Sequence, residues 1–164
     1  MIFTNTKVKN QGFTIVELLI VVVVIAILAA ITIVSYNGIT NRANASAAAS
    51  LAAAVQKKVE LYASEPDTNG YPATIADLQA GANSSKTWYV GPTTTTTLQI
   101  ANPDSGNGKT TIGLLKCVST GSPANQAAIT SSTIAGMRIN YFNFEAGSGV
   151  KTINVGTTTT CPTS

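Results

Sequence analysis

The chain has 164 residues, of which 45% are hydrophobic and only 10% charged, with a formal net charge of +3. That length holds one domain of ordinary size plus a long apolar segment, and excludes two full domains. Histidine is absent, which removes the commonest general base and the commonest metal ligand.

The basic excess lies at the start. Without Lys7 and Lys9 the balance is 8 basic against 7 acidic residues. No basic stripe with interleaved aromatics exists, so direct nucleic-acid binding is not supported.

From Leu18 to Ile31 every residue is apolar, and the first charge beyond is Arg42. A run of this length can cross a bilayer as a helix. Lys7 and Lys9 precede it, which places the N-terminus in the cytoplasm by the positive-inside tendency. One acid, Glu17, stands close to the start of the run. An ionisable group in a membrane segment costs roughly 2.5–3.5 kcal/mol at the centre and less at the edge. Glu17 is tolerable there, but it needs a reason. Two plainer readings compete: a cleaved secretory signal, with "ILAAIT" supplying small residues, and a plain anchor in which Glu17 is incidental. The run is long for a signal and continues into more helix.

"NRANASAAASLAAAVQKKVELYAS" (41–64) is alanine-rich and free of proline. Leu51, Val55, Val59 and Tyr62 share one helical face, and this stripe is expected to hold a globular head. Asn37-Gly38 is a potential break. Pro66 ends the helix, because the residue before a proline is pushed out of helical geometry. Unbroken, a helix from Phe13 to Ser64 would be about 78 Å long.

After Pro66 the composition turns to Gly, Thr, Ser, Asn and Pro. Residues 69–81 read as a turn and a short helix, with Thr74 and Asp77 in capping-box spacing and Gly81 as its stop. Strands are expected at 86–91, 95–101, 110–118, 136–144 and 150–155, the last two as a hairpin. A helix followed by an antiparallel sheet is an α+β layout. Cys117 and Cys161 either form one disulfide, which export favours, or remain buried thiols. The threonine runs 93–97 and 157–160 invite a glycan or adhesive reading, and a solvated surface explains them as well. Only Asp104 and Glu145 are acidic after Asp77, too few for a carboxylate-rich calcium site. No metal site, cofactor site or catalytic constellation is expected, and an enzyme reading has no residues behind it.

"KVKNQGFTIVELLIVVVVIAILAAI" closely resembles the N-terminus of type IV pilins and of their relatives, the pseudopilins of type II secretion and competence systems. The shared pattern is a basic leader ending in glycine, then phenylalanine, then glutamate four residues on. Gly12, Phe13 and Glu17 match it. The resemblance implies cleavage between Gly12 and Phe13 by a membrane prepilin peptidase, with N-methylation of Phe13. It makes the chain a substrate of an enzyme rather than an enzyme. It divides the chain into a leader (1–12), a long helix (13–64, with 13–36 spanning the membrane or forming the filament core) and a globular α+β pilin head (65–164). It gives Glu17 a role in register: its carboxylate meets the new α-amine of Phe13 in a neighbouring subunit, where an axial mismatch leaves it unpaired, or, the two residues being i, i+4, the amine of its own subunit; the sequence does not separate the two. Cys117 and Cys161 bracket a region resembling the disulfide-bounded loop of many pilins.

Many relatives carry a glycine midway along the run and a proline near its end, where the helix melts in assembled pili. Here those places are Ala26 and Val34, which favours a more continuous helix. The implied function is a structural subunit of a type IV pilus: a single-pass inner-membrane protein before assembly, and part of a surface filament for motility, adhesion or DNA uptake afterwards. Implied partners are other copies of the chain, the peptidase, the inner-membrane assembly machinery and minor pilins. The alternative is a pseudopilin, since "GYPATIADL" is similar to the segment after the helix in major pseudopilins. A third reading is an exported or anchored binding domain.

Overall fold

A computed structural model describes residues 12–68, 70–91, 97–104, 106–145 and 149–163. The chain forms two compact units, 1–39 and 40–164. One element runs through both: helix α1, Ile15–Ser64. It is unbroken at Asn37-Gly38, as its proline-free sequence allows, and it ends just ahead of Glu65-Pro66.

In the first unit α1 buries none of its side chains. Every large apolar residue from Ile15 to Ile39 is exposed, among them Leu18, Ile25 and Ile33. A helix apolar on all sides is not a water-facing element.

The second unit is built on the other half of α1. Val55 and Val59 are buried, as their spacing predicts, and so are Ala48 and Ala52. Leu51 and Tyr62 pack partly buried against the same core. The small side chains at 48 and 52 leave room for a sheet to approach the helix closely. Helix α2, Ile75–Gln79, opens with the predicted reciprocal cap: Asp77 N–H donates to the Thr74 hydroxyl, and the Asp77 carboxylate accepts from the Thr74 N–H.

The sheet has four strands in the order β1 (Thr97–Gln99), β2 (Thr111–Cys117), β3 (Gly136–Phe142) and β4 (Val150–Gly156). The pairs β2–β3 and β3–β4 are antiparallel, with Lys116 opposite Met137 and Tyr141 opposite Lys151. β1 instead pairs parallel to β2, Leu98 opposite Ile112, so the sheet is mixed rather than wholly antiparallel. Residues between β1 and β2 carry the chain back to the start of the next strand. There Asp104 accepts from the N–H groups of Gly106 and Asn107, and Asn140 on β3 donates to Asn102 at 2.6 Å.

The strand expected at 86–91 does not form. Trp88 is buried and stacks edge-on to Tyr62 with ring centroids 4.8 Å apart. Val90 N–H donates to the Leu78 carbonyl, and the Lys58 ammonium to the Thr87 carbonyl. One anchoring aromatic and local turns hold this segment in place, so its β-rich composition has no ladder to join.

The main core joins Ala52, Val55 and Val59 of α1 to Leu78, Trp88 and the inner sheet residues Ile112, Leu114, Met137 and Ile139. A smaller cluster of Ala48, Phe142 and Phe144 lies further towards the start of this half of α1. Cys117 and Cys161 form a disulfide across a separation of 44 residues. A loop of that size corresponds to about 4 kcal/mol on the chain-entropy account. Beside it, the side chain of Gln126 accepts from Lys116 N–H at 2.7 Å and donates to Lys116 C=O at 3.1 Å and to the Pro162 carbonyl. Val118 and Thr160 exchange backbone bonds in the same place. The outer edge of β2 beyond β1 is therefore closed by one amide side chain and by the tail. Most of the run 93–97 and the turn at 146–148 lie outside the described residues. Thr160, of the run 157–160, serves this backbone bridge.

Candidate functional site

The apolar helix start is the site that the sequence singles out. Gly12 and Phe13 are exposed, Phe13 to 88%, ahead of the first turn of α1. A Cβ at Gly12 would meet nothing within 4 Å, so no described residue packs against its backbone.

Glu17 is the third residue of α1, and its carboxylate is already engaged. Oε2 accepts from the Thr14 N–H at 2.8 Å and from the Thr14 hydroxyl at 2.8 Å. In return the Glu17 N–H donates to the Thr14 hydroxyl at 3.2 Å. This is a reciprocal capping box with Thr14 as N-cap. Two of the helix's orphan N–H donors are satisfied, and the negative charge sits at the positive end of the helix dipole. An N-cap of this kind contributes about 1 kcal/mol. Thr14 is the residue that a reading focused on Glu17 passes over. Its signal was present, because T-x-x-E at 14–17 has the same spacing as the Thr74–Asp77 cap.

The cap changes what the acid needs. Both side-chain bonds go to Oε2, and among the described residues Oε1 accepts none. Phe13 and Glu17, one turn apart, line the same shallow hollow with Leu18, Ile20 and Val21. No bond joins Phe13 to Glu17 within the chain; the intramolecular partner is Thr14. The Thr14 amide lies C-terminal to the Gly12–Phe13 bond, so scission of that bond would leave the cap donors intact.

The comparison with known families falls on this segment. Residues 7–33 match the prokaryotic N-terminal methylation motif. The chain carries the signature of the type IV pilin and prepilin family. No curated protein and no solved structure matches the chain. The prepilin motif accounts for the apolar helix, and the head extends it with the long-helix-on-sheet layout of an α+β pilin. The motif and the apolar helix support a pilin-like structural protein that a membrane anchors before assembly.

Of the residues that the sequence marked, the structure unites Cys117 with Cys161 and places Gly12, Phe13 and Glu17 together at the exposed head of α1.

Proposed function

We propose that the chain is a subunit of a type IV pilus, cut between Gly12 and Phe13 by a prepilin peptidase, N-methylated on Phe13, and polymerised with other copies through α1. The observation that carries this reading is the pairing of a processing motif with an apolar helix surface that none of the described residues covers. In a bilayer lipid covers that surface. In a filament the same surface of neighbouring copies covers it, and the heads face water. The chain acts as substrate and building block, without catalytic residues of its own. Before assembly its N-terminus is cytoplasmic and its head lies on the far side of the membrane, where the disulfide persists.

Glu17 supplies the register. Its Oε2 stays with the Thr14 cap, and its Oε1 receives the cationic amine of Phe13 from a neighbouring copy. Burying an unpaired carboxylate in an apolar filament core is costly, so subunits out of register are disfavoured. A pseudopilin of a secretion or competence system uses the same motif, and differs in forming short periplasmic assemblies rather than surface fibres.

The test is the N-terminal sequence and intact mass of protein from its native cell. A methylated Phe13 start is expected. A start near Ala30 or an intact Met1 would overturn the reading. Sheared surface fractions then separate pilus from pseudopilus. Glu17→Gln is expected to retain leader removal and membrane insertion but to lower fibre yield at least tenfold. Undiminished fibre yield would sink the register role.

A further inference from the structure

A groove in the second unit lies between α1 and the end of the β3–β4 hairpin. Its helix wall is made of short side chains, Ala45, Ser46 and Ala49. Its rim carries three charges: Arg42 on α1, Glu145 after β3 and Lys151 on β4. Lys151 stands opposite Tyr141 in the β3–β4 register, which fixes it on the hairpin wall. Arg42 and Glu145 approach only to 3.9 Å, and their side chains are 83% and 49% exposed. An exposed pair at this distance is weak, so it yields readily to a better partner. The groove thus offers two cations and one anion on the rim of a cleft walled by small and apolar side chains.

Its place in the sequence indicates the partner. Arg42 is the first charged residue after Glu17. It follows residue 36, the expected end of the membrane span, by six residues, or about 9 Å of helix. The headgroup layer beyond the hydrocarbon is roughly 5–8 Å deep per leaflet. A side chain as long as arginine reaches that layer.

We propose that this groove seats the headgroup of a phosphatidylethanolamine while the subunit is held in the membrane, the phosphate between Arg42 and Lys151 and the ammonium on Glu145. The pattern fits this headgroup better than its neighbours. A phosphatidylglycerol has the phosphate but no cation for Glu145. A phosphatidylcholine has a cation, but its quaternary ammonium carries no N–H to donate. The inference rests on the topology in the proposed function, with the head outside and residues 13–36 in the bilayer.

The test is native mass spectrometry of the full-length protein in detergent, with phosphatidylethanolamine, phosphatidylcholine and phosphatidylglycerol added at equal concentration. Phosphatidylethanolamine is expected to be retained above the other two. At about 1 kcal/mol per basic contact, the double variant Arg42→Gln/Lys151→Gln should lose roughly 10- to 30-fold in its retention. Glu145→Met, which removes the acceptor for the ammonium N–H, should erase the preference over phosphatidylcholine. Trp88 fluorescence checks that the variants keep a folded head. Equal retention of the three lipids, a lead for phosphatidylglycerol, or a double variant unchanged in retention would each overturn the proposal. N-terminal sequencing judges the prepilin reading separately. A Phe13 start without lipid preference removes the groove's role alone, whereas a start near Ala30 or beyond removes the membrane span, and with it the topology beneath the inference.

Discussion

Gln126 is a small feature with a large expected effect. The side chain is buried, 4% exposed, and closes the edge of β2 by accepting from Lys116 N–H and donating to Lys116 C=O. Gln126→Ala leaves both groups without a partner on that edge. A buried backbone group so abandoned costs ~1–3 kcal/mol, and water reaching one of them would recover part, so a loss of about 3 kcal/mol is expected. With a urea m-value of about 2 kcal/mol/M for a unit of this size, the midpoint falls by roughly 1.5 M. Trp88 is the only tryptophan and lies in the core against Tyr62, so its emission follows unfolding of the detergent-held chain. Gln126→Glu sharpens the test. It preserves size and the acceptor for Lys116 N–H, but turns a carboxylate oxygen towards the Lys116 and Pro162 carbonyls. It should destabilise at neutral pH at least as much as alanine does. A shift under about 0.5 M urea for alanine, or a glutamate variant as stable as the wild type, would refute the edge-closing role.

Other outcomes can be measured in the same way. Cys117→Ser/Cys161→Ser should cost up to about 4 kcal/mol. Because Gln126 also holds Pro162, its loss and that of the disulfide should combine to less than their sum, as a double-mutant cycle reveals. Gly156 sits at φ +71°, and a Cβ there would lie 2.1 Å from the Tyr71 hydroxyl oxygen. Gly156→Ala should therefore lose about 2 kcal/mol or more, and Tyr71→Phe in the same chain relieves only the hydroxyl clash, since the ring carbon at 2.6 Å and the Ala135 carbonyl at 2.7 Å remain, read from thermal midpoints. Burial pushes the Lys116 amine below the ordinary lysine range. The unfolded state then binds more protons, so stability rises with pH in the alkaline window between the lowered folded value and the unfolded one. Lys116→Met should abolish that rise in urea titrations across this window, and a slope unchanged by the substitution would contradict it.

Much of this architecture is written in local patterns. The face formed by Val55 and Val59, the Thr74–Asp77 cap and the β3–β4 hairpin follow from periodicity and turn chemistry. Each depends on neighbours in sequence. The parallel placement of β1 does not. It depends on how residues 100–110 fold back, through Asp104 turns and the Asn102–Asn140 bond, and no period in the sequence encodes a long-range partner. The segment 86–91 misleads for a related reason: its aromatic and β-branched residues suit a strand, but Trp88 is used as a plug in the core. Lys116 and Gln126 are invisible beforehand because a buried polar pair is defined by its mutual geometry. At the N-terminus the order is reversed. The processing motif is plain in the sequence, and the Thr14 cap is equally plain, but a lone acid in an apolar run draws attention to its burial rather than to its backbone partner.

The disulfide also imposes an order of events. Cys161 follows the whole sheet in the chain, while the apolar helix precedes it. Under the proposed topology the helix enters the bilayer early, and the bond to Cys117 must wait until residue 161 has crossed into an oxidising compartment. A subunit caught before that moment is already anchored, but its tail is not covalently fastened. Oxidation then fastens the tail to the sheet only after the helix is anchored.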